Sequence, residues 1–280
     1  MAFFPRTRAG GERAGVLEDL VEYHRDNPGI TEATLGALRT ADGLTGYQLL
    51  AARVPVGAHT VVDLGCGNGP LLRELHQPRV IGVDACASEL ALAASHARHA
   101  ELLQVTGQAF GDRLEVASVD AVLSHHAFYL MEPIEPVVAS IARVLRPHGL
   151  FAFVTSSPRG AEYEPWSSMM RAFSAITKRE HPTFGGWGDR RVWTLDGLHE
   201  LLDERFEGLV VEEFVLVARE SPEALCDRLL RFLYSAELQS EAARAETRGA
   251  WLALLARPGD ALEVQLPYAI VSATRRAAMR

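Results

Sequence analysis

At 280 residues and 48% hydrophobic side chains, the chain is long enough to bury one large core, or a core with a satellite. A formal net charge of −8 argues against a protein that wraps nucleic acid, because phosphate binding needs a basic surface. No run approaches the ~20 apolar residues that cross a bilayer, and Cys66, Cys86 and Cys226 lack metal-ligand spacing, so three small buried thiols in a reducing cytoplasm are expected, with no membrane partner.

Residues 1–12 carry no long apolar segment and no small-residue cleavage site, so an unexported chain with a disordered start is expected. Residues 13–27 then set Val16, Leu20 and Val21, followed by Tyr23 and His24, at helical intervals. Asn27, Pro28 and Gly29 stop that helix, and shorter ones are predicted over 31–38 and 46–53.

Residues 61–69, VVDLGCGNG, run an apolar strand through Asp63 into Gly65, Gly67 and Gly69. Glycine at alternate positions opens left-handed backbone angles and lets a ligand lie against bare peptide. Pro70 suits the first turn of a helix, LLREL. A second strand at 80–83 ends in Asp84, at the tip of the neighbouring strand, where a carboxylate can accept both hydroxyls of a ribose. A nucleoside cofactor is implied. The spacing G-x-G-x-G with Asp63 ahead of it differs from the G-x-G-x-x-G of a dinucleotide site. An acid facing the turn repels a pyrophosphate and attracts a cation, so a sulfonium cofactor with an amino group fits better than NAD.

The order continues with a helix at 87–100, strands at 102–106 and 120–124, a helix at 133–144 and a strand at 150–154. This alternation predicts a doubly wound, mostly parallel α/β sheet whose ligands lie beyond the carboxyl ends of the strands. Residues 156–193 are rich in glycine, proline and aromatics, among them Tyr163, Trp166, Phe173, Phe184, Trp187 and Trp193. They read either as a lid over an acceptor pocket or as a cover that closes the core. A helix at 194–206 and strands at 209–217 and 263–274 complete the pattern. Between those last strands, 221–257 supplies two helices, opened by Pro222 and ended by Pro258-Gly259.

With these residues in place, the chain resembles the class I S-adenosylmethionine-dependent methyltransferases. Gly107, Gln108 and Ala109 stand where that family has Gly-Asp-Ala, SVDAV at 118–122 is similar to its fourth strand, and RVLRPHG at 143–149 to the turn before its fifth. The resemblance spans residues 45–155. It implies a seven-stranded Rossmann-like sheet with an antiparallel last strand, plus a helical cover and an inserted helical pair. The domain plan is then an N-terminal helical cover (1–55), a cofactor-binding core (56–155), a lid or acceptor segment (156–193) and a completion of the sheet (194–280) with the insertion at 221–257.

The resemblance also implies S-adenosyl-L-methionine as cofactor. Asp63, Gly65, Cys66, Gly67, Asn68, Gly69, Asp84, Ala85, Gln108, Ala109 and Ser124 would hold it, with Tyr23 and Tyr47 from the cover. Gln108 replaces the family's acid, but its amide oxygen can accept the same hydrogen bond from an adenine amino group. His148 replaces a glycine and is expected as a solvated turn residue.

Methyl transfer from a sulfonium is an in-line displacement in which positive charge on sulfur disappears, so alignment and a dry pocket matter most. For a hydroxyl or protonated amine acceptor, a neutral histidine can remove the proton. His125 and His126, directly after strand four, are the candidate bases; neighbours on extended chain point opposite ways, so at most one of them is expected to face the acceptor. Tyr163, Trp166, Trp187 and Arg190 are candidate acceptor contacts. His96 and His99 share a helix face with no third ligand, and no metal is expected. SHHAF stands where DNA amino-methyltransferases carry an Asn/Asp-Pro-Pro-aromatic turn, which disfavours bases as acceptors.

The expected activity is methylation of a small, secondary-metabolite-like acceptor at oxygen, nitrogen or carbon. An NAD-dependent oxidoreductase and a non-catalytic binding module are the alternatives. Leu229, Leu230, Phe232, Leu233 and Tyr234 of the insertion form either a wall of the substrate cavity or the face of a homodimer.

Overall fold

A computed structural model describes residues 16–183, 186, 188–256 and 263–277. Its sheet contains β1 (Thr60–Leu64), β2 (Arg79–Asp84), β3 (Glu101–Gln104), β4 (Val119–His125), β5 (Leu145–Ser156), β6 (Phe206–Arg219) and β7 (Glu263–Arg275), in the order β3-β2-β1-β4-β5-β7-β6. β7 runs antiparallel to both β5 and β6, and the other six strands share one direction. The chain moves outward from β1 to β3, then crosses back to lay β4 on the other side of β1. A switch point of this kind leaves a crevice at the carboxyl ends of β1 and β4.

β1 reads TVVDL and is buried along its whole length, as a central parallel strand covered on both faces must be. The helices are α1 (Val16–Asp26), α2 (Ile30–Leu35), α3 (Gly46–Ala51), α4 (Ala87–His96), α5 (Glu135–Val144), α6 (Trp166–Glu180), α7 (Leu195–Leu202), α8 (Pro222–Phe232) and α9 (Glu241–Leu255). One apolar cluster joins Leu50, Leu72, Phe173, Leu229 and Trp251; the other joins Phe110, Phe128, Phe151, Ile141 and Phe206. A capping box fixes α3: Thr45 Oγ accepts from Gln48 N at 3.1 Å, and Gln48 Oε1 accepts from Thr45 N at 3.0 Å.

The structure departs from the sequence reading at several places. The helix expected after Pro70 is a single 3₁₀ turn, Leu72–Glu74. Pro78 stands just before β2, and the residue ahead of a proline is kept out of helical angles, which leaves too little chain for an α-helix. His99 Nε2 lies 3.1 and 3.0 Å from the carbonyls of Leu72, which also closes the turn by accepting from Leu75 N at 3.2 Å, and of Leu75. Residues 156–193 contain a 15-residue helix, α6, whose amphipathic pattern is hidden between glycine- and proline-rich ends. Its Met169, Phe173 and Ile176 are buried, and it packs on α9.

Leu229, Leu230 and Phe232, offered as a homodimer face, are buried inside the chain. Pro258 and Gly259, expected to end the second inserted helix, and Phe184 and Trp187 of the lid segment lie outside the described residues, as do residues 1–12. His148 adopts a φ of 62° with its ring exposed. Cys66, Cys86 and Cys226 are free and buried. No helix among the described residues is long and apolar enough to cross a membrane.

Trp251 of α9 is fully buried, and its indole N–H donates to the carbonyl of Met169 in α6 at 2.7 Å. Trp251→Ala removes that bond and opens a cavity, and should cost about 3–5 kcal/mol. Urea titration should show a lower midpoint at unchanged slope.

Candidate active site

Two adjoining hollows open at the switch point. The apolar one is walled by Leu17, Leu20 and Val21 of α1, by residues 83–86 at the end of β2, and by Val105, Gly107, Gln108, Leu130 and Met131. The polar one is walled by Asp63, residues 65–68, Thr31, Tyr47, Glu89, His125, His126 and Tyr234. His24, Gly65, Asp84, Ala127 and Leu130 border both.

The floor is the glycine turn. Gly65 has φ +76°, and a Cβ built there would lie 2.6 Å from the Cβ of Ala127, so only glycine lets the chain pass. Gly65 N and Cys66 N both donate to the carbonyl of Val83, at 2.8 and 3.0 Å, which ties the turn to β2. Asp84 locks it from the side: Oδ2 accepts from Gly67 N and Oδ1 from Cys86 N, each at 2.8 Å. Burial raises the Asp84 carboxyl, opposed by those two bonds. Burial also raises the Cys66 thiol, which keeps it protonated and unreactive.

Gln108 closes the far end of the apolar hollow. Its Nε2 donates to the carbonyls of Met131 at 3.1 Å and Pro133 at 3.3 Å, so its oxygen is left as the free acceptor. Ala85 lines this hollow, whereas Ala109 caps the 3₁₀ turn Phe110–Arg113 and is not on its wall.

The polar hollow gathers groups that lack partners. Asp63 is 1% exposed, neither carboxylate oxygen has a hydrogen-bond partner, and burial, with Asp84 adding, pushes its pKa well up. The Tyr47 hydroxyl and both ring nitrogens of His125 are likewise unpartnered, and the two rings lie 4.0 Å apart. Gly46 admits that imidazole, since a Cβ there would come within 2.7 Å of His125 Nε2. Burial, followed by His126, drives His125 down to about 3; burial drives His126 to about 4. His126 meets the Tyr129 hydroxyl at 3.3 Å and stacks on Phe232 with ring centroids 5.5 Å apart.

Both histidines border the polar hollow, where the alternation of an extended strand predicted at most one. The reason is local: His126 takes a left-handed φ of 58°, which breaks the alternation directly after β4.

Other expected residues are not brought to these walls. Ser124 Oγ donates to the carbonyl of Leu64 at 2.7 Å and ties β4 to β1. Tyr23 donates to the carbonyl of Arg231, Gly69 packs on Ala93, and Trp166 packs on the core. Tyr163 is half-buried outside both hollows, and Arg190 is exposed. Its neighbour Arg191 is the engaged one, paired with Asp189, Glu135 and Glu200. Sequence reasoning missed Thr31, Glu89 and, as a wall of this hollow, Leu130. Glu89 carried one signal, an acid in the first turn of a helix that starts at the sheet edge.

The buried, unpaired Asp63 carboxyl tests the fit of the implied cofactor. An ammonium group is the ligand that such an acid lacks, Asp84 offers ribose hydroxyls a partner, and the apolar hollow between Asp84 and Gln108 suits a heteroaromatic base. The residues fit S-adenosylmethionine. A glycine turn at a switch point, with an acid on each of two adjacent strands, is an arrangement that suits a nucleoside cofactor on a Rossmann-like fold.

Comparison with known proteins narrows this class. The methyltransferase domain family matches residues 62–153. An uncharacterized methyltransferase of Mycobacterium tuberculosis is 32% identical over 160 residues, 55% of this chain and 79% of that protein. The trans-aconitate 2-methyltransferase of Azoarcus sp. is 34% identical over 127 residues, 44% of this chain and 48% of that protein. In fold, the YcgJ protein of Bacillus subtilis superimposes with a TM-score of 0.55 at 17% identity, covering 83% of this chain and 98% of that one. A Haemonchus contortus phosphoethanolamine N-methyltransferase, solved with phosphomonomethylethanolamine and S-adenosylhomocysteine, gives 0.58 at 16% identity, covering 94% of this chain and 61% of that one. The chain belongs to the class I S-adenosylmethionine-dependent methyltransferases.

The histidines give the site a pH signature. Between their folded values near 3 and 4 and the ordinary 6.5, the unfolded chain binds more protons, so stability rises with pH and is lost as pH falls below 6.5. Asp63, held up, has the opposite sign: its folded form keeps the proton, and rising pH costs stability. Subtracting a His125→Asn variant isolates one imidazole. Going from about pH 7 to about pH 5 should cost the wild type about 2 kcal/mol more than the variant in chemical denaturation.

Proposed function

We propose that the protein methylates a small neutral or cationic acceptor held in the polar hollow, with S-adenosylmethionine lying across both hollows. The observation that carries this reading is Asp63, a buried acid at the switch point with two unpartnered oxygens. When bound, S-adenosylmethionine supplies an electrophilic methyl group on a sulfonium. Asp84 would accept from the ribose hydroxyls, the Gln108 oxygen from the adenine amino group, and Asp63 from the amino group of the methionine part. Leu17, Leu20, Val21, Val105 and Met131 would cover the base, and the glycine turn would let the ligand approach bare peptide. Cys66, Asn68 and Ala85 join these walls.

On the acceptor side, Tyr47, His125, His126 and Tyr234 form an aromatic, largely buried surface around the carboxyl end of β4. Alignment and exclusion of water are its main contributions. Held near 3, His125 is too weak a base to keep a proton at neutral pH, so it orients an acceptor O–H or N–H by accepting its hydrogen bond. Among the described residues, three carboxyl groups and no lysine or arginine line the hollows. A carboxylate- or phosphate-bearing acceptor would meet no cation among those described residues, and the acidic total disfavours nucleic acid. Three free, buried thiols suit a reducing cytoplasm.

Calorimetry with S-adenosylhomocysteine and with NAD tests the reading. The first should bind and the second should not; NAD binding alone would overturn the assignment. Because burial raises the Asp63 pKa in the empty site and an ammonium beside it would lower that pKa in the filled one, titrations in buffers of different ionisation heat should show proton release on binding, absent in Asp63→Asn. Asp84→Ala should weaken binding by about 1.5–3 kcal/mol, the value of hydrogen bonds to a charged group. With S-adenosylmethionine supplied, S-adenosylhomocysteine should form with some members of a panel of neutral phenols, alcohols and amines and not with trans-aconitate; turnover of trans-aconitate would sink the acceptor class.

A further inference from the structure

We propose that His24 is a positioning residue for the cofactor, a latch that holds α1 down as the roof of the apolar hollow and so sets how long a bound nucleoside stays. The proposal rests on the reading of the two hollows as the S-adenosylmethionine site.

α1 is the roof in a literal sense, since Leu17, Leu20 and Val21 form one wall of the apolar hollow and His24 borders both hollows. The helix ends at Asp26, and the chain breaks direction through Asn27, Pro28 and Gly29, where Gly29 has φ +78°. A short helix behind a glycine joint needs fastening.

The fastening is the imidazole. His24 Nδ1 lies 2.7 Å from Glu89 Oε1, and Nε2 lies 2.9 Å from the Tyr234 hydroxyl. A carboxylate opposite Nδ1 selects the tautomer that donates there, which leaves Nε2 bare to accept the Tyr234 O–H. Glu89 is 2% exposed, and its two oxygens also accept the Gly29 N–H at 3.0 and 3.1 Å. One carboxylate therefore grips the chain on both sides of the joint. Glu89 belongs to α4 of the cofactor-binding core, and Tyr234 follows α8 in the insertion, so one ring joins the cover, the core and the insertion. Among the described residues, the other hydrogen bonds between α1 and the body are to backbone carbonyls: Tyr23 to Arg231, Ser88 Oγ to His24 at 3.4 Å and the Cys86 thiol to Val21 at 3.8 Å.

Stopped-flow dissociation of S-adenosylhomocysteine from the full chain tests the latch. His24→Ala should release the ligand about 10- to 100-fold faster, since loss of a hydrogen bond to a charged partner is worth one to two decades in an equilibrium constant. Tyr234→Phe, which removes one hydroxyl, should give a smaller acceleration in the same direction. His24→Gln should restore much of the wild-type residence time, because its amide can donate to Glu89 and accept from Tyr234, a rescue that a packing role would not show. Hydrogen exchange should quicken in residues 17–26 of His24→Ala while β1 and β4 stay protected. Dissociation within twofold of wild type in His24→Ala overturns the latch; should that variant not fold, unchanged dissociation in Tyr234→Phe does so. If the wild type binds no S-adenosylhomocysteine, the functional reading fails, and the latch is judged by exchange alone: slow, wild-type exchange over 17–26 in the variants overturns it.

Discussion

A carboxyl group without a partner, buried at the centre of the sheet, is the constraint around which this molecule is arranged. Asp63 sits one residue from the end of a strand whose neighbours on both sides are apolar and inaccessible. Removing an acid from water without a compensating donor is costly, so an unpaired one calls for a reason, and the proposed ammonium partner supplies it. The position is set by topology: β1 lies between β2 and β4, at the reversal of strand order, so its tip opens into the crevice and not onto a covering helix. The hydrogen bonds around it are spent on holding the turn. Val83 anchors Gly65 and Cys66, and Asp84 anchors Gly67, which leaves the Asp63 oxygens alone and the turn rigid.

The same economy appears across the polar hollow. Tyr47, His125 and His126 bring polar atoms out of water with few protein partners, and the low pKa of each imidazole follows from that burial. Buried polar groups in a low dielectric interact strongly with whatever they finally meet, and cost most when they meet nothing. A site built this way favours orientation over proton storage. Methyl transfer suits it, since the reaction needs a short in-line approach more than it needs an acid or a base.

The roof and the walls come from distant stretches of chain. α1, the residues around Thr31, α3 and the segment after α8 each contribute, and the hydrophobic contacts of α6 with α9 brace the insertion from behind. Stability and function therefore meet in the inserted helices: Phe232 closes the core and stacks on His126, while Tyr234 reaches the hollow two residues later.

Much of this could be read from residue order alone, and the readable part is the part governed by local physics. Alternate glycines after an apolar strand, an acid at the end of the next strand, and the switch between two-residue and helical periods each depend on a few neighbouring residues, so 61–69, Asp84 and the doubly wound sheet were evident in advance. What tertiary structure alone decided depends on contacts across the chain. Nothing near Glu89 says that its carboxylate will meet His24 and Gly29, and nothing near Tyr234 says that it will wall a cavity rather than a dimer face. The helical reading of 71–75 failed because Pro78 and the start of β2 limit the available chain, and the pairing of His125 with His126 at one hollow followed from a single left-handed residue. Backbone periodicity is encoded residue by residue; convergence of side chains from α1, α4 and the insertion exists only once the sheet has brought those elements together.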